Sequence, residues 1–344
     1  MDSILLLTAQ YFQQVELASL CLPDGPALVS PNIQTAIYEN MFNADTAWPL
    51  PPIPYQTRVL KSIITRIEKS VSDPEEDEIL DSLMKTWTTL LFTPKASSLE
   101  QAQKLTYIKY TAPKPHDTTS HSSPEPPKAI ITSENRSLIL SAGTTGFRTW
   151  EAALHLGTYL STTDSGRALI KDKRVLELGA GTGFLSFLCA KHLGAQNVVV
   201  TDREPALIEQ IEDCIGRNEL NEEKIQAGIW EWGRPIEVPL RDGDKKMDFD
   251  IALGADLIYD TDIIPLLIST ITDLFTNYSI KEFVIAATVR NEDTFQTFLD
   301  ACARTSLALE QIPFQSPHNE EQTGFFHSTS IPIHTYRVTT GTTQ

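Results

Sequence analysis

One run of residues limits what this chain can fold into: Val175-Leu176-Glu177-Leu178-Gly179-Ala180-Gly181-Thr182-Gly183. A β-rich segment, Lys173–Leu178, passes through glycines into a helical segment reaching about Leu193. Glycines at such a turn accept positive φ and let backbone approach a ligand closely. The pattern downstream alternates. A Val-rich strand, Asn197–Thr201, precedes a helix through about Asn218, and Lys224–Trp230 reads as a weaker strand. Asp250–Gly254 is a strand followed by a helix from about Thr261 to Phe275. Glu282–Thr288 is a strand followed by a helix to about Thr305, and Leu307–Ile312 and Ile331–Val338 complete the set. Strands alternating with helices of this length predict an α/β, doubly wound, parallel sheet covered on both faces. Ligands of such sheets bind outside the carboxyl ends of the strands, where the glycines lie.

The chain has 344 residues, room for two domains or for one with an extension. Residues 1–110 read as helical. From Arg58 to Glu68, Val59, Leu60, Ile63, Ile64 and Ile67 share one face of a 3.6-residue period. Ser72-Asp73-Pro74-Glu75-Glu76 reads as a helix start, ahead of a stripe from Ile79 to Leu91. Residues 111–127, rich in Pro, Ser and Thr, read as a linker or a long exposed loop, and 128–344 as the α/β domain.

Charge narrows the partners. Lys plus Arg number 28 against 45 Asp plus Glu, a net charge of −17, with no Lys/Arg-rich run. That composition disfavours nucleic-acid binding by phosphate neutralisation. Cys21, Cys189, Cys214 and Cys302 form no CxxC pair and read as free thiols. The first basic residue is Arg58, so the opening Met-Asp-Ser-Ile-Leu-Leu-Leu reads as a helix rather than a targeting signal. The absence of an 18-residue apolar stretch predicts no membrane span. A cytoplasmic protein, acting as a monomer, is the expectation.

The glycine spacing separates nucleotide ligands. A dinucleotide loop requires G-x-G-x-x-G, and the third glycine would fall at Phe184 or Ser186. The observed G-x-G-x-G, preceded by Glu177, resembles motif I of the S-adenosylmethionine-dependent methyltransferases. A nicotinamide enzyme or a simple glycine turn stands as the alternative. The next strand ends at Asp202, placed for two ribose hydroxyls. Trp230 and Trp232 follow the third strand; Trp232, with Gly233 behind it, is the choice for adenine, against two aromatics at a sheet edge. The fourth strand exits into Asp256-Leu257-Ile258-Tyr259. An acid and a phenol at that spacing suit an amine nucleophile: Asp256 orients it, and Tyr259 walls its channel. The alternative makes Asp256 a turn or capping residue and Tyr259 packing.

With motif I, Asp-x-x-Tyr resembles the seven-strand protein-lysine methyltransferases. Ser141-Ala142-Gly143-Thr144-Thr145-Gly146-Phe147-Arg148-Thr149-Trp150-Glu151-Ala152-Ala153 and the tail Phe325-Phe326-His327-Ser328-Thr329 are similar to segments of the eukaryotic elongation factor 2 lysine methyltransferases. Ala142, Phe147 and Arg148 depart from that pattern. The resemblance implies a seven-strand Rossmann-like domain behind N-terminal helices and S-adenosyl-L-methionine as cofactor. The acceptor would be a lysine of elongation factor 2. It places Trp150, Glu177, Gly179, Ala180, Gly181, Gly183, Asp202, Trp232 and Ala255 around the cofactor, and Asp256 with Tyr259 at the lysine. Another protein lysine, a small-molecule amine, or a non-catalytic module of the same fold are the competing readings. His155 and His192 read as packing or surface residues, and His327 as structural unless the tail resemblance carries a function. The seven histidines show no metal-ligand spacing, so no metal is expected.

Overall fold

The computed structural model describes residues 3–73, 77–94, 97, 104–114, 127–136, 144–238 and 246–341. It divides into two compact units, Met1–Thr111 and Ala112–Gln344. Residues 115–126 of the expected linker and Ser141-Ala142-Gly143 lie outside the described residues.

The first unit packs helices Ser3–Phe12, Gly25–Val29, Pro31–Ile37, Ile53–Glu68 and Asp81–Phe92. The stripe on Ile53–Glu68 is buried at Val59, Leu60, Ile63, Ile64 and Ile67, against Leu7, Tyr11, Leu28, Met41 and Leu83. Each fully buried aliphatic side chain contributes about 1.5–3 kcal/mol, so this seam organises the unit. Two expectations are corrected here. The last residues of the unit are not helical: Thr106–Thr111 is a strand, β1. Its β-branched and aromatic residues alternate, with Ile108 and Tyr110 buried. The helix expected from Ser72 starts at Asp81. The Asp77 carboxylate instead accepts hydrogen bonds from the backbone N–H groups of Ser72 (2.9 Å) and Asp73 (3.0 Å). A short acidic side chain that captures free N–H groups favours a turn over a helix.

The second unit opens with a strand that the sequence reading left unassigned, β2 (Ala129–Glu134). Five strands follow: β3 (Arg174–Leu178), β4 (Asn197–Asp202), β5 (Ile225–Ile229), β6 (Ile251–Ala255) and β7 (Glu282–Thr288). The last two are β8 (Leu307–Ile312) and β9 (Ile333–Thr340). The seven-stranded sheet has the order β5-β4-β3-β6-β7-β9-β8. Its centre is buried on both faces, as the continuous apolar runs of β3, β4, β6 and β7 require. The sheet is mixed, not wholly parallel: β9 runs antiparallel to both β7 and β8. The physical reason lies in the connection. Residues 313–332 form a loop with no crossover helix, so the chain returns in the opposite direction between its neighbours.

Successive strands step outward from β3 in two directions, to β4 and β5 on one side and to β6 and β7 on the other. The reversal falls between β3 and β6, where Leu178 pairs with Gly254. Gly179 and Ala255 therefore leave the sheet side by side. Ala255 pairs with Ala286 in turn, which sets Asp256 against the end of β7. Among the described residues, no helix is long and apolar enough to cross a membrane.

Candidate active site

The glycine loop is shaped by two backbones in contact. Gly179 and Gly181 both have φ +56°, a region that costs an L side chain roughly 1–2 kcal/mol. A Cβ on Gly181 would stand 3.0 Å from the carbonyl oxygen of Gly146, and one on Gly179 would stand 2.7 Å from Leu257 Cδ2. The segment 144–149 thus lies directly on the loop. Its anchor is a buried polar chain: Thr149 Oγ1 donates to Glu134 Oε1 (2.7 Å) and sits 2.6 Å from Thr182 Oγ1. Thr132 and Arg136 bind the same Glu134 carboxylate. The unassigned strand β2 therefore supplies the acid that pins one motif to the other.

Two carboxylates flank the loop. Asp202, at the end of β4, accepts from Gly181 N–H (2.9 Å) and Glu204 N–H (3.2 Å). Burial raises its pKa against the pull of those donors. Glu177 lies under the loop and accepts from the N–H of Ser186 (2.9 Å) and from its hydroxyl, which ties the first turn of helix Phe184–His192 to β3. Burial pushes Glu177 up to about 8, opposed by the two Ser186 hydrogen bonds. Gly183 has φ +75° and starts that helix; a Cβ there would meet Phe187 and Ile211. Alone among the residues assigned to the cofactor, it does not line the cleft.

The two tryptophans after β5 part company. Trp230 is buried in the core and donates Nε1–H to the Arg234 carbonyl (2.7 Å). Trp232 lies over Gly179, its ring edge 3.5 Å from where a Cβ would be. Trp150 closes another wall. Its Nε1–H donates to Thr145 O (3.0 Å), and the guanidinium carbons of Arg148 and Arg290 lie 5.0 and 5.1 Å from its ring centroid.

Asp256 sits where β6 leaves the sheet, with φ +53°. A non-glycine residue in that region marks a position held by its surroundings. Its N–H donates to Ala286 O (2.9 Å). Its carboxylate accepts from Thr288 N–H (2.8 Å) and Oγ1–H (3.1 Å), and Arg290 pairs with it at 3.3 Å. Tyr259 stands on the rim, 58% exposed, its pKa raised chiefly by partial burial.

These groups line one cleft of about 330 Å³, within the range of small-molecule sites. It brings together Trp150, Glu177, Gly179, Ala180, Gly181, Asp202, Trp232, Ala255, Asp256 and Tyr259. A carboxylate at the end of β4, a flat indole over Gly179 and open backbone at the loop fit an adenosyl group carrying an amino-acid tail. Sequence reasoning missed Thr288 and Arg290. Both lie at the carboxyl end of β7, the strand beside β6, and that position was itself the available signal. His327 lies outside the cleft. Its Nδ1 is 2.7 Å from Phe325 O, and its Nε2 is 3.0 Å from Ser316 Oγ, which reaches His155 Nδ1 at 2.8 Å. His155 is buried on helix Glu151–Thr162, and His192 holds the carbonyl of Ala129. Among the described residues, no group of three or more His, Cys, Asp or Glu side chains could hold a metal ion.

A seven-strand sheet with one reversed strand, and a glycine loop and acid at its switch point, defines a class I S-adenosylmethionine-dependent methyltransferase. The family model described as "Lysine methyltransferase" matches residues 138–305. The chain is 41% identical over 336 residues to "Protein-lysine N-methyltransferase EFM3" of Chaetomium thermophilum, covering 94% of each. Two mouse proteins match less closely. "EEF1A lysine methyltransferase 3" is 32% identical over 44% of this chain and 59% of its own length. "Protein-lysine N-methyltransferase EEF2KMT" is 23% identical over 78% of this chain and 73% of its own length. The chain belongs to the lysine methyltransferase family, and its activity is S-adenosylmethionine-dependent protein-lysine N-methylation.

Proposed function

We propose that the acceptor is a lysine of a translation elongation factor, elongation factor 2 in the first instance, methylated in the cytoplasm. Bound S-adenosylmethionine supplies an electrophilic methyl carbon on a sulfonium. Gly179, Ala180, Gly181 and Glu177 hold its methionine end, Asp202 its ribose, and Trp232 its adenine. Trp150 and the backbone of Ala255 complete the walls. Asp256 orients the substrate nitrogen, and Tyr259, standing on the rim, walls the channel by which the lysine enters. The nitrogen reacts as a neutral amine, so its proton must leave first. The rate then comes largely from positioning and from exclusion of water.

The observation that carries this reading is the shared cleft. The loop and Asp202 line it together with the exit of β6, Asp256 and Tyr259. The substrate rests on two further supports. The Gly-Thr-Thr-Gly block resembles the elongation factor 2 enzymes. Similarity to EEF2KMT also runs over 280 residues, more than the second unit by itself holds. A second reading, elongation factor 1A, is favoured by the higher identity to EEF1A lysine methyltransferase 3, which spans only 151 residues.

The test is methyl transfer in extract from cells lacking the enzyme, with radiolabelled S-adenosylmethionine and protein resolved by mass. One labelled band identified as elongation factor 2, with the label on lysine, is the expected result. A label on elongation factor 1A selects the second reading, and a label on neither overturns both. Asp256→Ala should abolish transfer while leaving S-adenosylhomocysteine affinity nearly unchanged; near-normal turnover would remove Asp256 from the site.

A further inference from the structure

Asp256 does not face the cleft as a free carboxylate. One oxygen accepts from Thr288 N–H and lies 3.3 Å from an Arg290 nitrogen. The other accepts from Thr288 Oγ1–H, with Arg290 at 3.4 Å. The Asp256 side chain is only 9% exposed, and that of Arg290 is 40% exposed at the cleft wall. Arg290 is fixed from two further directions. It pairs with Glu151 at 2.9 Å, and it lies over the ring of Trp150.

Charge at this point has a chemical consequence. A substrate lysine arrives as an ammonium and must lose one proton to solvent before its lone pair can form the new N–C bond, as the methyl carbon–sulfur bond would break and the sulfur would leave as a neutral thioether. An uncompensated carboxylate beside it would favour the charged form and hold that proton. We propose that Arg290 is a positioning residue for methyl transfer: it neutralises Asp256 and Glu151, so that the lysine in the cleft is oriented by Asp256 without being held as an ammonium. This rests on the reading that Asp256 and Tyr259 face the lysine.

The other charged and titratable groups around the cleft do not replace it. Arg148 pairs at 3.7 Å with the Glu151 oxygen that Arg290 does not hold. Glu177, Asp202, Arg203, Glu231 and Tyr259 line the remaining walls, and His327 feels Glu151 from behind. Without Arg290, Asp256 and Glu151 would confront the ammonium with one fewer cation between them.

The experiment measures kcat against pH for the full chain with purified, unmethylated elongation factor 2. Arg290→Gln, Arg290→Lys and Asp256→Ala are assayed beside wild type. The kcat profile reports ionisations within the enzyme–substrate complex. For Arg290→Gln the rising limb should move up by about one pH unit, so that turnover falls about tenfold near neutrality and converges on wild type at high pH. Arg290→Lys, which keeps the charge, should restore the limb. S-adenosylhomocysteine affinity by calorimetry should stay within about twofold. A loss in Arg290→Gln by the same factor at every pH overturns the proposal, since that marks a structural role. So does a failure of Arg290→Lys to restore the limb, or a tenfold loss of S-adenosylhomocysteine affinity. Near-normal turnover in Asp256→Ala instead overturns the underlying placement of the lysine, whatever Arg290 does.

Discussion

Replacing Glu177 by glutamine keeps an acceptor for both Ser186 hydrogen bonds and removes the titrating proton. In the cofactor-free protein, burial sets this carboxyl at about 8, against an ordinary 4.5. A folded value raised above the unfolded one contributes stability that is fully present below pH 4.5. That stability is lost as pH rises through about 8. Each unit corresponds to about 1.4 kcal/mol, so complete ionisation in a rigid site would cost ~5 kcal/mol. Relaxation of the loop and entry of water into the cleft reduce this to about 2–3 kcal/mol. Melting of the wild type and Glu177→Gln should be followed from pH 4.5 to 9, in the transition that responds to S-adenosylhomocysteine. The two should nearly coincide at pH 4.5, the gap should open between there and about 8, and the variant should melt about 5–10 °C higher at pH 9. Adding S-adenosylhomocysteine should narrow the gap, since on the proposed reading its amino group would pair with the ionised glutamate. A difference in melting temperature that stays flat across this range would refute the reasoning.

Asp202→Ala should weaken S-adenosylhomocysteine binding by about 100-fold or more in calorimetry, the loss of roughly two hydrogen bonds to a charged acceptor at about 1.5–3 kcal/mol each. Gly179→Ala combines a φ of +56° with a Cβ 2.7 Å from Leu257. It should destabilise the second unit by about 1–3 kcal/mol in denaturant titration and reduce cofactor affinity with it. His155 is buried and neutral, held down to about 3 by desolvation and by His327 and His334. Its Nε2 has no hydrogen-bond partner among the described residues. The unfolded chain takes up that proton below the ordinary 6.5, so this contribution is present above pH 6.5 and fades as pH falls toward 3. His155→Phe should therefore gain on wild type in melting temperature as pH drops from 6.5 to 4.

What the sequence carried by itself was local. The spacing of Gly179, Gly181 and Gly183 disfavoured a dinucleotide loop, because a missing third glycine is a statement about backbone room at one turn. Alternating apolar runs and helices specified the α/β layers, since each element must bury one face or both. Asp202, Asp256 and Tyr259 were legible because they stand where strands end, and a parallel sheet collects all such ends along one edge. Tertiary structure decided what depends on residues far apart in the chain. Nothing local in Thr288 or Arg290 marks them as partners of Asp256; the β6–β7 register brings them there. The Gly146–Gly181 contact and the Glu134 chain that secures it join three separate segments. The reversal of β9 follows from a loop returning without a helix, and the turn at Asp77 from a carboxylate that found backbone donors nearer than a helix could offer. Periodicity reports the face that a residue turns toward its own element's neighbours. Which distant charge it meets across that face is set only when the whole sheet has formed.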